Sequence, residues 1–291
     1  MANATAAVPF GDLSVFGEAL GAFVGGALRV RRSHVEASMA RAGVEAPADA
    51  ARGMYRSLGT SALELLWLGG RLSNLARRSE AKVRGPDRRV SDLRELASFD
   101  SNARAAIVEM RAHGAVLAAS HTGNWDLTAC AVASHVPLLV VTKHLSLGFV
   151  DVFWQSTRAR YGVSLAPAKG AFERARSHVA SRGAVAMMID QVPMRRAHSL
   201  EVNFLGAPAW VDRAPATLAA RTGTLFVVPA AHRREDGTQL VTVLDVMAPP
   251  ARAGRAWIDY ATARATSALE SFVLAHPTEW LWMHRRWKTP A

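Results

Sequence analysis

His121 and Asp126 stand five positions apart in His121-Thr-Gly-Asn-Trp-Asp126, directly after the apolar run Ala115-Val-Leu-Ala-Ala119. The run reads as a buried strand. A histidine and a carboxylate on the loop that ends a strand can meet around a tight turn at Gly123. In such a pair the carboxylate orients the imidazole and balances its charge, and the imidazole removes a proton from an attacking hydroxyl. The bare pattern His-x4-Asp arises often by chance. A strand, then His-x-Gly-Asn-Trp-Asp, then a helix-compatible stretch over residues 127–134 arises far less often. Asp126 also reads as a cap for that helix, a role compatible with pairing to His121.

The elements that must position these residues follow from hydrophobic periodicity. Residues 10–80 read as helical, most apolar over 61–68, and residues 90–112 read as a helix before the motif strand. Beyond the motif, strands over residues 136–142, 163–166, 184–189, 224–228 and 239–246 alternate with helices over 149–161, 171–181, 214–221 and 256–275. This alternation predicts an α/β fold with a mixed, mostly parallel sheet flanked by helices, and an N-terminal helical region. The expected division is a helical, membrane-associating region over residues 1–89 and an α/β domain over 90–291. Sites in such sheets lie beyond the carboxyl ends of strands. Asp190 follows the strand over 184–189 as directly as His121 follows its own, so both can face one crevice. Asp190 also reads as a plain strand end.

The 291-residue chain is 50% hydrophobic and 20% charged, with a net charge of +11. That excess suits an anionic membrane surface, an acidic protein or a nucleic acid, or reflects an arginine-rich composition. No nucleic-acid-binding motif accompanies it. Cys130 is the sole cysteine, so no intramolecular disulfide forms, which fits a reducing compartment. The N-terminus lacks the pattern of a secretory signal. Residues 10–30 are mildly apolar, are interrupted by Asp12 and Glu18, and are followed by Arg29, Arg31 and Arg32. They fit a helix at the cytoplasmic face of a membrane and an ordinary docking helix equally well. The basic stretch from Arg71 to Arg89 fits a solvated face or a membrane contact. His135, His144, His178 and His232 show no metal-ligand spacing, and no metal site is expected.

The first motif resembles that of the glycerolipid-type acyltransferases, and its Gly-Asn-Trp core resembles the lipid A late acyltransferase branch. The resemblance extends through Arg41-Ala-Gly-Val-Glu45 and Gly59-Thr-Ser-Ala-Leu-Glu64, Lys143-His144, Arg158-Ala-Arg-Tyr-Gly162 and Ile189-Asp-Gln191. It continues through Val202-Asn-Phe-Leu-Gly206, taken as a loop, and the ending Pro277-Thr-Glu-Trp-Leu-Trp-Met-His-Arg-Arg-Trp-Lys288. Two departures stand out: Asp126 where that branch commonly has Glu, and a weaker N-terminal hydrophobic span.

The resemblance implies transfer of a fatty acyl chain from an acyl thioester to a hydroxyl of a membrane lipid, with a lipid A precursor as the leading acceptor. His121 and Asp126 are then the catalytic pair, while Asn124, Lys143, Arg158, Asp190 and Gln191 contact substrate. Arg158 is the candidate to hold phosphate or polarise the thioester carbonyl, ahead of Arg160. No metal or bound cofactor is implied, acyl–acyl carrier protein or acyl-coenzyme A being the co-substrate. The expected partners are an acidic carrier protein, an anionic membrane surface and the lipid acceptor. The expected location is the cytoplasmic face of the inner membrane, held peripherally or by a weak N-terminal anchor. Trp280, Trp282 and Trp287 read as core or as membrane-interface residues. Two other classes remain open on the residues alone. One is a hydrolase using the pair to activate water. The other is a basic, non-enzymatic membrane binder, which has no need of a His and a carboxylate at a strand end.

Overall fold

Continuous apolar runs are stable as strands only where both faces of the sheet are covered, and the central strands here are of that kind. The computed structural model describes residues 5, 7–79, 93, 96–142 and 148–290, with the backbone alone for 72–79. Lys143 and the basic stretch beyond residue 79 lie outside the described residues. One sheet has seven strands: β1 (Ala97–Phe99), β2 (Ala115–Ala119), β3 (Leu138–Thr142), β4 (Val163–Pro167), β5 (Ala184–Met188), β8 (Leu225–Arg233) and β9 (Gln239–Met247), in the order β1-β9-β8-β2-β5-β3-β4. From β8 to β4 all neighbours are parallel, and β9 turns antiparallel to β8 and pairs in parallel with β1. The expected α/β class with a mixed, mostly parallel sheet is what forms.

Alternate residues of β2 and β5 feed two cores. Val116, Ala118, Val185 and Met187 point into a layer closed by α2 (Arg32–Arg41), α7 (Ala171–Ala180), α8 (Ala214–Thr222), α9 (Arg255–Ala275) and the start of α3 (Pro47–Ser79). Ala115, Leu117, Ala184 and Ala186 point to the opposite layer, which holds Ile107 of α4 (Ser101–His113), Leu127 of α5 (Trp125–Ala133) and Trp67 and Leu68 of α3. Helix α6 (Gly148–Arg160) precedes β4. Helix α1 (Leu13–Ala22) lies on α3 so closely that a Cβ on Gly21 would fall 1.9 Å from the Tyr55 carbonyl oxygen. Among the described residues no single helix is long and apolar enough to cross a membrane.

Three sequence expectations need correction. Within the helix expected over 90–112, residues 97–99 form strand β1, in register with Gln239–Val241 at the sheet edge. Asp100 then caps α4 by accepting the Ala103 N–H (2.7 Å). The expected loop at 202–206 belongs to an antiparallel hairpin, β6 (Ser199–Phe204) and β7 (Ala207–Asp212). Its turn residues, Leu205 and Gly206, both have positive φ, at 51° and 77°, as a tight hairpin of primed type requires. Strand β8 runs on past Pro229, through a register shift between Val228 and Pro229 that accommodates the missing N–H. Of the two readings of Trp280 and Trp282, core and membrane interface, the structure bears out the core, since both are fully buried.

Candidate active site

Strand order decides which carboxylate meets His121. Strands β2 and β5 are parallel neighbours, with Ala119 opposite Met188, and the Ile189 N–H still donates to the Ala119 carbonyl (2.9 Å). Two residues further along each chain stand His121 and Asp190. The imidazole Nδ1 lies 3.0 Å from Asp190 Oδ1 and 3.2 Å from Oδ2. The His121 backbone N–H also donates to Oδ2 (2.8 Å), and so does Trp280 Nε1 (2.9 Å). Asp190 has no exposed side-chain surface, while the His121 side chain is 12% exposed. Burial alone would raise the Asp190 pKa. The charge and hydrogen bonds of His121, with help from His284, outweigh it and hold the carboxyl well below the ordinary carboxylate range. An ionised carboxylate at Nδ1 selects the Nδ1–H tautomer and leaves the Nε2 lone pair free to accept a proton.

Asp126 does something else. It sits in the first turn of α5, and its Oδ1 accepts Arg158 Nε (2.6 Å) and Trp154 Nε1 (2.8 Å) from α6, with Arg158 Nη2 beside them. Asp126 and Arg158 are both buried. The expected His121–Asp126 pair is therefore replaced by two pairs, His121–Asp190 and Asp126–Arg158. The reason is local. The helix begins at Asn124, whose Oδ1 caps it by accepting the Leu127 N–H (3.1 Å), and two residues on, still in the first turn, Asp126 faces α6. That assignment also corrects the readings of Asp126 as the cap and of Asn124 as a substrate contact. Asn124 is 2% exposed, and its amide donates to Glu64 Oε2 (2.7 Å) on α3. Glu64 in turn holds Arg233 of β8, whose Nη2 donates to Oε2 at 3.0 Å.

The motif loop is fixed from behind by the C-terminal segment. The Gly123 N–H donates to the Glu279 carbonyl (2.7 Å), the Leu281 N–H donates to the His121 carbonyl (3.1 Å), and Thr122 bridges to Trp280. Gly123 has φ of +54°, and a Cβ there would sit 2.6 Å from Gln239 Oε1 and 2.7 Å from the Ala231 carbonyl oxygen. Gly123→Ala should therefore destabilise the protein by more than about 1 kcal/mol and displace His121. Denaturant unfolding and turnover, measured together, check this, and unchanged values for both would refute it.

In front of His121 opens a cleft of about 470 Å³. Its walls are largely apolar, with Val140, Phe172, Met187, Met188 and Leu281 among them, and its polar groups include Arg158, Gln191 and His284. The Gln191 amide nitrogen is 3.3 Å from His121 Nε2 and 3.5 Å from His284 Nε2. The rings of His121 and His284 meet edge to face at 4.9 Å. Burial, reinforced by the neighbouring His121, lowers the His284 pKa to about 4, so that imidazole is neutral at pH 7. Of the expected site residues, the structure brings His121, Gln191 and Arg158 to this cleft, with Asp190 buried behind His121. It places Asp126 behind Arg158 and Asn124 in the loop's support, and Arg160 is exposed on α6. Trp280 and His284 were not singled out as site residues, although both lie in the C-terminal signature.

A histidine held by a buried carboxylate at adjacent strand ends, over a cleft with mostly apolar walls, is an arrangement able to deprotonate a nucleophile beside an apolar group. The sequence profile of the bacterial lipid A biosynthesis acyltransferases matches residues 84–289. The chain belongs to that family and is an acyltransferase. No curated protein matches it.

Proposed function

We propose that the protein transfers a fatty acyl chain from an acyl thioester, carried by acyl carrier protein, to a hydroxyl of a membrane lipid, a lipid A precursor being the leading acceptor. The observation that carries this reading is the His121–Asp190 pair at the end of an apolar cleft. The acceptor hydroxyl displaces the Gln191 amide from Nε2 and gives up its proton there as its oxygen attacks the thioester carbon. The tetrahedral oxyanion collapses and expels the thiolate, which takes the proton back from His121. Arg158, held by Asp126 in the cleft wall, supplies fixed positive charge for the oxyanion or for an acceptor phosphate. The mechanism runs on these side chains and the co-substrate, without a metal or bound cofactor. The test is incubation of the purified protein with acyl carrier proteins bearing several chain lengths and a lipid extract, followed by mass spectrometry. Acylated lipid supports the reading, while free fatty acid alone would replace it with a hydrolase.

The same reading places the enzyme on the cytoplasmic face of the inner membrane as a peripheral protein. Val15 (68% exposed), Phe16 (60%) and Phe23 (55%) leave an apolar row on the N-terminal helices. Arg29, Arg31 and Arg32 follow it. Basic residues near an anionic surface contribute about 1 kcal/mol each and are screened by salt. Binding to anionic liposomes should therefore weaken as salt rises, in a sedimentation assay. Release by detergent alone, whatever the salt, would contradict peripheral attachment.

A further inference from the structure

We propose that Trp280 is a positioning residue of the active site, its indole N–H fixing the orientation of the Asp190 carboxylate against the His121 ring. This rests on the reading of His121 as the base. Carboxylate Oδ2 receives two donors, Trp280 Nε1 at 2.9 Å and the His121 backbone N–H at 2.8 Å. With Oδ2 held from two directions the carboxyl group is kept in the orientation that sets Oδ1 3.0 Å and Oδ2 3.2 Å from Nδ1. Trp280 is itself immobile: it is 1% exposed and packs edge to face on Trp282 and Phe204, at 4.9 and 5.7 Å. Its backbone bridges Thr122, next to His121. The indole is thus clamped to both members of the pair, through its side chain to the carboxylate and through its main chain to the histidine's loop. Burial of an indole usually serves packing, and its N–H then takes whatever carbonyl is near. Trp282 does that, donating to the Pro277 carbonyl (2.8 Å). Trp280 instead aims at an ionised, fully buried carboxylate, where a hydrogen bond is stronger than one to a neutral acceptor. The other charged or titratable groups acting on Asp190 are His284 and Arg286.

The comparison of Trp280→Phe with Trp282→Phe tests this, because both lose similar buried ring area and only the first loses a bond to the catalytic pair. The readouts are acyl transfer from radiolabelled acyl–acyl carrier protein to a lipid extract, across pH, and thermal unfolding. Both variants should lose comparable stability. Trp280→Phe should lower kcat roughly 10- to 100-fold with KM unchanged. The acid limb of its kcat/KM profile should move to higher pH, because carboxylate charge released by the indole then falls on the imidazolium. Trp282→Phe should leave that limb in place. Equal kcat losses in the two variants with one common pH profile would overturn the proposal. A His121→Ala variant that stays active would instead overturn the base assignment on which it rests.

Discussion

His121→Ala should lower acyl transfer by about 10²–10⁴-fold, the usual worth of a positioned general base, while leaving the protein folded. The imidazole is partly exposed at the cleft, so its removal opens no core cavity. Asp190→Asn should approach the same loss for a different reason. An amide at Nδ1 neither balances the imidazolium nor enforces the Nδ1–H tautomer, so Nε2 no longer presents its lone pair reliably. Asp190→Asn also removes a carboxylate whose pKa is depressed in the folded state. Such a group contributes stability that is complete above its unfolded value of about 3.9 and disappears only as pH falls through the folded one. Turnover measured alongside circular dichroism separates lost chemistry from lost fold. A His121→Ala enzyme retaining more than about a tenth of wild-type turnover would show that another group is the base.

The second large effect is expected at Arg158. Arg158→Ala leaves the Asp126 carboxylate buried without its cation, and breaking such a pair from one side costs about 3–5 kcal/mol. Arg160→Ala, two residues along α6 on an exposed face, should change stability by no more than about 0.5 kcal/mol. If Arg158 supplies the fixed charge at the oxyanion, its loss also lowers kcat by about 10²–10³-fold at temperatures where the variant is folded. Arg158→Lys should recover only part of this, since a point charge replaces the fork that engages Asp126 through Nε and Nη2. Denaturant unfolding of the three variants checks the stability ranking, and equal losses at 158 and 160 would contradict it.

Residue-level signals reach some of this structure and miss the rest for identifiable reasons. The runs at β2 and β5 are continuously apolar, and both could be read as buried strands bearing a functional residue at their carboxyl ends. What periodicity does not carry is lateral order. That β5 lies directly beside β2, with β3 beyond it, is a tertiary fact, and it decides between Asp126 and Asp190 as the partner of His121. Proximity in sequence favoured Asp126, and the cap at Asn124 turned it away. β1 is too short, at three residues, to display alternation. The β6 pattern Leu200-Glu-Val-Asn-Phe204 does alternate, so that hairpin was legible and was obscured by the family's Phe-Gly loop. Pro229 made β8 look shorter than it is. The C-terminal signature was visible as a tryptophan-rich stretch, but only the sheet shows that its indoles turn inward, one of them onto Asp190.

The most direct measurement of the central claim is single-turnover acyl transfer by His121→Ala, Asp190→Ala and the double variant. Residues that act as one catalytic unit are strongly non-additive. If His121 and Asp190 are that unit, the double variant should be no slower than His121→Ala alone. Losses at the two positions that multiply, or an Asp190→Ala enzyme near wild-type speed, would contradict the pairing of His121 with Asp190 as the machinery of transfer.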